Sequence, residues 1–262
     1  MIVCHLSCHC VTSDTCVINE NVNSAVLLFY VFKEVLASFT VCPSAENLFD
    51  FNETIAKDIF KGCCEPYEVL PKIKDFCIEL SKTLGDDFEE ISDGVFAARD
   101  ARIAESATLI GPAIIGHNVE IRPGAYIRGS VIIGDGAVIG NSTEIKNAII
   151  FNGAQLPHYN YVGDSIIGYK AHLGAGAIIS NFRLDHTSIK IKTDNGKIDT
   201  GLRKMGALVG DFSEVGCNSV INPGSVIGRG CVIYPLSRIN GILPEDTYFY
   251  GDERAPKAKN KN

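Results

Sequence analysis

From Ile103 an aliphatic residue recurs every six positions: Ile103, Leu109, Ile115, Ile121, Ile127, Ile133, Ile139 and Ile145, followed by Phe151. A second series, mostly small, follows each of these by four residues: Ala107, Ala113, Val119, Ala125, Val131, Ala137, Thr143 and Ile149. A period of six fits neither the 3.6-residue helix nor the two-residue strand, and it predicts a β-solenoid in which each hexad is one flat side of a coil. The aliphatic residue then points inward, and the small one fits beneath a corner where successive layers approach closely. The phase slips around Gln155 to Tyr161 and resumes at Ile167, Leu173 and Ile179. A polar segment, Asn181 to Lys204, interrupts again before Val209, Val215, Ile221, Ile227 and Ile233 complete the column, with Ser213, Ser219, Ser225, Cys231 and Ser237 at the small positions. Because the last series keeps the phase of Ile167, the segment is expected to be a loop extruded from a stack whose register is preserved.

Upstream the pattern changes, and four zones follow: an irregular Cys-rich extension over 1–43, a small helical segment over 44–94, the solenoid over 95–245, and a polar tail over 246–262. Asn52 is placed to cap a helix through Thr54–Phe60. Pro71 to Leu84 sets Ile73, Phe76, Ile78 and Leu80 near one stripe, and Gly85-Asp86-Asp87 marks its end.

Composition narrows the classes. Of 262 residues 46% are hydrophobic and 21% charged, enough for a sizeable core and against global disorder. A net charge of −7 argues against a general nucleic-acid binder, so an anionic ligand must be held by local cations. The longest apolar run, Ala25 to Phe32, is too short for a membrane span, and neither a basic region before it nor a cleavage site after it marks a signal peptide. The cysteines concentrate before residue 80, and no sequence feature directs the chain to an oxidising compartment, so reduced thiols and a cytoplasmic location are expected. The cluster Cys4, Cys8, Cys10 and Cys16, with His5 and His9, matches no metal-ligand spacing, and no metal is expected.

The hexad form resembles the hexapeptide-repeat transferase superfamily. More specific strings follow in order: Ile121-Arg122-Pro123-Gly124-Ala125, Glu144-Ile145-Lys146, Pro157-His158-Tyr159-Asn160-Tyr161-Val162-Gly163-Asp164, Leu173-Gly174-Ala175-Gly176, Ser180-Asn181-Phe182 and Arg203-Lys204-Met205-Gly206-Ala207. Together, over roughly residues 100–245, they resemble the carboxy-terminal acetyltransferase domain of bifunctional N-acetylglucosamine-1-phosphate uridylyltransferases and the equivalent domain of sugar-1-phosphate nucleotidylyltransferases. The resemblance implies a left-handed parallel β-helix with three hexads per coil, a homotrimer with sites between neighbouring solenoids, and acetyl-CoA as acyl donor. It does not cover residues 1–90.

By that resemblance His158 is the catalytic base, a role that suits a group titrating near neutrality. Asn181 is a second catalytic candidate, orienting His158 or donating to the developing oxyanion. Lys146 and Tyr161 match sugar-phosphate ligands. The partner arginine is Arg122 by motif, while Arg128 lies three hexads before Lys146 and would stack beneath it. His172 replaces a sugar-binding asparagine, and Lys204 is a further phosphate candidate, with Lys190 and Lys192 on the same loop. Ala175, Ala207 and Gly210 are expected along the pantetheine arm, with Arg229 and Arg238 at the CoA phosphates. The implied reaction is acetyl transfer to an amino-sugar phosphate.

A non-catalytic trimeric scaffold and a γ-class carbonic anhydrase share the solenoid. The anhydrase needs two histidine ligands close in sequence, and no two of His117, His158, His172 and His186 are. No glycine-rich nucleotide loop is found, and nucleotidylyl transfer is not expected.

Overall fold

The computed structural model describes residues 42–251 and 253–256. The Ala25–Phe32 run and Cys4, Cys8, Cys10 and Cys16 lie outside the described residues. A parallel β-helix dominates the rest, with three stacks of short strands as its sides. Side 1 runs from Val95–Ala98 through Ala113–Ile115 and Val131–Ile133 to Ile242–Leu243. Side 2 runs from Arg102–Ile103 to Thr247–Tyr250, and side 3 from Thr108–Ile110 to Arg238–Ile239. Residues three hexads apart lie in register, as in Ile115 with Ile133, Ile121 with Ile139, and Ile127 with Ile145. The inward column and the small corner residues form one continuous core.

The period shortens at two corners, and neither coincides with Gln155–Tyr161. Ile150 pairs with Ile133 and with Ile167, so the inward residue after Ile145 is Ile150 and the one after Val162 is Ile167. Each corner loses one residue and turns through a left-handed position, Asn147 (φ 46°) and Asp164 (φ 47°), a conformation that short amide and carboxylate side chains tolerate. Ile150 therefore takes the inward place expected for Phe151, and Ala148 the corner place expected for Ile149. The hexad from Gln155 to Asn160 is regular.

Phe151 and Ile149 instead belong to a second apolar layer on the outer face of side 1. Ile114, Ile132, Ile149, Ile166, Leu208 and Val226 line that face. Phe49, Phe60, Leu70 and Ile73 cover it from the N-terminal segment, and Ile189, Ile191 and Met205 from the long loop. That loop carries an antiparallel hairpin, Lys190–Thr193 with Gly196–Asp199, folded back on its own side 1. The part around Leu184, 95% exposed, is what projects.

The N-terminal segment is built mostly of short 3-10 turns, at Phe51–Glu53, Lys57–Phe60 and Pro66–Lys72, between a single α-helical turn at Ala45–Leu48 and an α-helix at Ile73–Ser81. Asp50, not Asn52, caps the first turn, accepting the Asn52 N–H at 3.0 Å. No helix spans Thr54–Phe60. Proline at 66 and 71 and left-handed Gly62 keep the turns short. After the helix, Phe88–Ser92 and Val95–Ala98 form a hairpin whose second strand opens side 1. At the other end, Thr247–Tyr250 continues side 2 and pairs antiparallel with Glu253–Pro256, so these two strands lie within the segment expected as a polar tail. Among the described residues no helix is long and apolar enough to cross a membrane, and no group of three or more His, Cys, Asp or Glu is placed to hold a metal ion.

Candidate active site

On side 3 the inward residues Ile127, Ile145, Val162 and Ile179 alternate with outward ones, which therefore stack into two columns about 4.8 Å apart per coil. The first column holds Tyr126, Glu144, Tyr161 and Ile178. The second lies two residues further along each strand, past the inward residue, and holds Arg128, Lys146 and Gly163. The register thus sets Arg128, and not Arg122, in the column of Lys146. Arg122 stands on side 2, where its Nε donates to Glu120 Oε1 at 2.8 Å.

Arg128 Nη1 donates to Glu144 Oε1 at 2.6 Å, and the bond to this carboxylate raises the already high guanidinium pKa. Lys146 has no ion-pair partner among the described residues. At Gly163 the column lacks a side chain, and two polar groups occupy the space. A Cβ there would stand 2.5 Å from Asn181 Nδ2 and 2.8 Å from Tyr161 Oη. Tyr161 Oη lies 3.5 Å from Asn181 Oδ1. Burial first, then the Glu144 and Asp164 charges, push the Tyr161 pKa up, so the hydroxyl remains a donor well above neutral pH.

Behind this face lies a buried polar ladder. Asn147 Nδ2 donates to Asp164 Oδ1 at 2.9 Å, and Asn181 Nδ2 donates to Asp164 Oδ2. Asp164 and Asn181 are buried. The loop returns to the same corner, where the Met205 N–H donates to Asn181 O at 3.1 Å. Exposed Lys204 immediately precedes Met205 and so stands beside the cluster.

His158 ends the strand Gln155–His158 on side 2. Its side chain is exposed and has no hydrogen-bond partner among the described residues, and its position is fixed through the backbone. The His158 N–H donates to Asn160 Oδ1 at 3.2 Å, and Asn160, buried in the corner, donates Nδ2 to Gly174 O at 2.8 Å. Glycine at 140 is required beneath, because any Cβ there would overlap Pro157. Within one chain His158 and Asn181 are not neighbours. Asn181 lies at the level of Asp164, about 10 Å along side 3 from Tyr161 by the rise of a strand. No hydrogen bond joins Asn181 to His158 among the described residues.

The remaining predicted residues separate clearly. His172 faces outward on side 2, with Nδ1 2.9 Å from Glu214 Oε2, away from the side 3 cluster. Ala175 is half-buried at the corner next to His158, whose carbonyl accepts the Gly176 N–H at 3.0 Å. Ala207 is wholly enclosed in the solenoid interior, and Gly210 is buried against Gly228 and Arg229, so neither lies open to a ligand. Arg229 is paired with buried Asp211 at 3.1 Å. Arg238 is exposed on side 3 beside Val220. Two members of the ladder, Asn147 and Asp164, carried no expected role. The signal for them is that each stands two residues after an inward aliphatic residue, at a corner one residue short.

A fold of stacked hexads with a cationic column beside a hydroxyl and an amide defines a hexapeptide-repeat transferase. The GMPPB C-terminal domain model matches residues 109–201. An uncharacterized acetyltransferase, YaiX, of Escherichia coli O6:K15:H31 is 36% identical over 160 residues, which is 61% of this chain and 70% of that protein. The bifunctional sugar-1-phosphate nucleotidylyltransferase/acetyltransferase of Sulfurisphaera tokodaii is 37% identical over 171 residues, covering 64% of this chain. This chain spans 43% of that relative's length, and 34% of the length of the bifunctional GlmU protein of Methanococcus maripaludis C5, to which it is 34% identical. A crystal structure of AntD, an N-acyltransferase from Bacillus cereus, in complex with dTDP and coenzyme A, is 17% identical with a TM-score of 0.36, covering 68% of this chain and 94% of that one. The chain belongs to the hexapeptide-repeat acetyltransferase family.

Proposed function

We propose that this protein transfers an acetyl group from acetyl-CoA to the amine of an amino-sugar phosphate. The observation that carries the reading is the Arg128–Lys146 column beside the Tyr161 hydroxyl, two cations and a donor on one face, which suit a phosphate dianion. In the reaction the neutral amine attacks the thioester carbonyl and His158 accepts the proton that the amine loses. The tetrahedral intermediate then expels CoA thiolate, which leaves as the thiol after protonation. Ala175 and Gly176, small residues beside His158, suit a pantetheine arm, and Arg238 suits a CoA phosphate.

The site is proposed to be shared in a cyclic trimer. The outer face of side 1 is covered by the chain's own N-terminal segment and hairpin, leaving sides 2 and 3 to meet other copies. His158 ends a strand of side 2 while the cluster stands on side 3, with no hydrogen bond between His158 and Asn181 within one chain, and a neighbouring copy would complete the site.

The test is release of CoA thiol from acetyl-CoA with a panel of amino-sugar 1-phosphates. Arg128→Gln and Lys146→Gln should each raise the acceptor KM at least about 10-fold, the worth of one charge-assisted contact, with the acetyl-CoA KM unchanged. Glu144→Gln should lower it, because it frees the Arg128 guanidinium. His158→Ala should lower kcat by about 10²- to 10⁴-fold. His158→Ala and Lys146→Ala, each impaired alone at low acceptor concentration, should regain activity when refolded together. No transfer to any member of the panel sinks the reaction, and no regain on mixing sinks the shared site.

A further inference from the structure

The Asn147–Asp164–Asn181 ladder couples the N-terminal segment to the acceptor face. Asn147 Nδ2 donates both to Asp164 Oδ1, at 2.9 Å, and to the Leu70 carbonyl, at 3.1 Å. Leu70 ends the run of apolar residues in the turn Pro66–Lys72 and is buried against side 1. Asp164 is a buried acidic side chain with no ion-pair partner among the described residues, and amide N–H groups hold both of its oxygens. A carboxylate cannot donate. It therefore fixes the direction of both amides, with Asn147 and Asn181 each presenting Nδ2 to it.

The consequence falls on Asn181. With Nδ2 turned to Asp164, its Oδ1 is turned to the Tyr161 hydroxyl, 3.5 Å away. One of the two Nδ2 hydrogens is engaged by Asp164, and the other remains free to donate. Met205 and Gly206 close the same corner from the loop side, their N–H groups donating to Asn181 O at 3.1 Å and Asp164 O at 2.8 Å. The corner is thus held on both flanks, by the N-terminal segment through Leu70 and by the returning loop.

We infer that Asp164 is a positioning residue that locks the Asn181 amide with one N–H directed to an acceptor's oxygen, and that Asn147 makes this lock depend on the N-terminal segment. The role rests on the acceptor reading above, while the lock itself does not. An oxygen substituent on the sugar or a phosphate oxygen is the group that this N–H would meet, and a site built this way discriminates against acceptors that lack it, because an unmet buried donor is costly.

Asp164→Asn keeps the shape but leaves one acceptor oxygen for two amides; Asn147 is held by its Nδ2 bond to the Leu70 carbonyl, so the Asn181 amide is the one that flips to offer its oxygen. The full-length protein is labelled with ¹⁵N, and the Asn181 side-chain amide signals are assigned by their loss in Asn181→Ser. In the parent protein one Asn181 side-chain hydrogen should exchange with solvent at least about 10-fold more slowly than those of an exposed asparagine such as Asn118. Asp164→Asn should abolish that protection and, in the turnover assay, raise the acceptor KM at least 10-fold with the acetyl-CoA KM unchanged. Asn147→Ala should produce both effects in the same direction, each smaller. The reciprocal pair Asp164→Asn with Asn181→Asp restores a carboxylate–amide bond, so Tm should return towards that of the parent while acceptor binding stays lost. Protection unchanged in Asp164→Asn, or acceptor binding regained in the reciprocal pair, overturns the inference. Protection lost as expected in a parent that turns over none of the sugar phosphates overturns the acceptor reading and leaves the lock standing.

Discussion

Phe151 lies against Phe49, with ring centroids 5.2 Å apart and planes 29° from parallel, and Phe60 meets Phe151 edge-on at 6.3 Å. The contact joins the outer face of the solenoid to the N-terminal segment, so Phe151 closes the second apolar layer and contributes nothing to the coil interior. Truncation of a buried aromatic in such a cluster costs about 3–5 kcal/mol. Phe151→Ala should therefore lower the urea midpoint strongly and expose the N-terminal segment to protease, with the β-helix circular dichroism retained. A loss below about 1 kcal/mol would show that the segment is not anchored there.

Why this layer escaped a reading of the repeat is instructive. The inward column obeys a six-residue period on every side, so the period alone cannot distinguish one side from another. The difference is carried by the residue just before the inward one, which is apolar on side 1 (Ile114, Ile132, Ile149, Ile166) and mostly polar on side 2 (Arg102, Glu120, Gln155, His172). Strands buried on both faces read as continuous apolar runs, and Val131-Ile132-Ile133 is such a run. The side 3 cluster was partly legible, because Arg128 and Lys146 are separated by a whole coil and no shortened corner lies between them. The contacts of Asn147, Asp164 and Asn181 were not, since their stacking depends on the two corners that lose a residue. Those corners also set His158 within a regular hexad, where a break in the repeat was expected.

His117 is clamped by two carboxylates, with Nε2 2.9 Å from Asp87 and Nδ1 3.1 Å from Asp100, where the first coils meet the hairpin Phe88–Ala98. Partial burial pulls its pKa down, but the Asp100 bond and charge, the Asp87 bond and the Asp135 charge outweigh this and raise it. A base whose folded pKa exceeds its unfolded value stabilises fully below the unfolded value, near 6.5, and loses that contribution as pH rises through the folded pKa. Melting temperature should accordingly fall as pH rises above about 6.5, and His117→Gln should flatten that slope. An unchanged slope in the variant would assign the pH dependence to other groups.

Asp211 is the polar hub that ties the N-terminal segment to the coil. Its carboxylate is fully enclosed, accepting the Asp50 N–H at 2.7 Å and the Tyr169 N–H at 2.8 Å and pairing with Arg229 at 3.1 Å. Burial raises its pKa, and the Tyr169 and Asp50 N–H bonds and the Arg229 charge only partly offset that. A carboxyl with a raised folded pKa becomes less stabilising as pH rises above its unfolded value, so Asp211 is not a group that drives acid unfolding. Its value is geometric. Removing it leaves two backbone donors and a half-buried guanidinium without their acceptor, a loss of about 3 kcal/mol or more. Asp211→Ala should show that loss in urea unfolding. Asp211→Ala combined with Arg229→Met should recover part of it, because the orphaned cation is gone while the two backbone donors stay unmet. A double variant no more stable than the single would place the whole cost on the Asp50 and Tyr169 N–H groups and none on the ion pair.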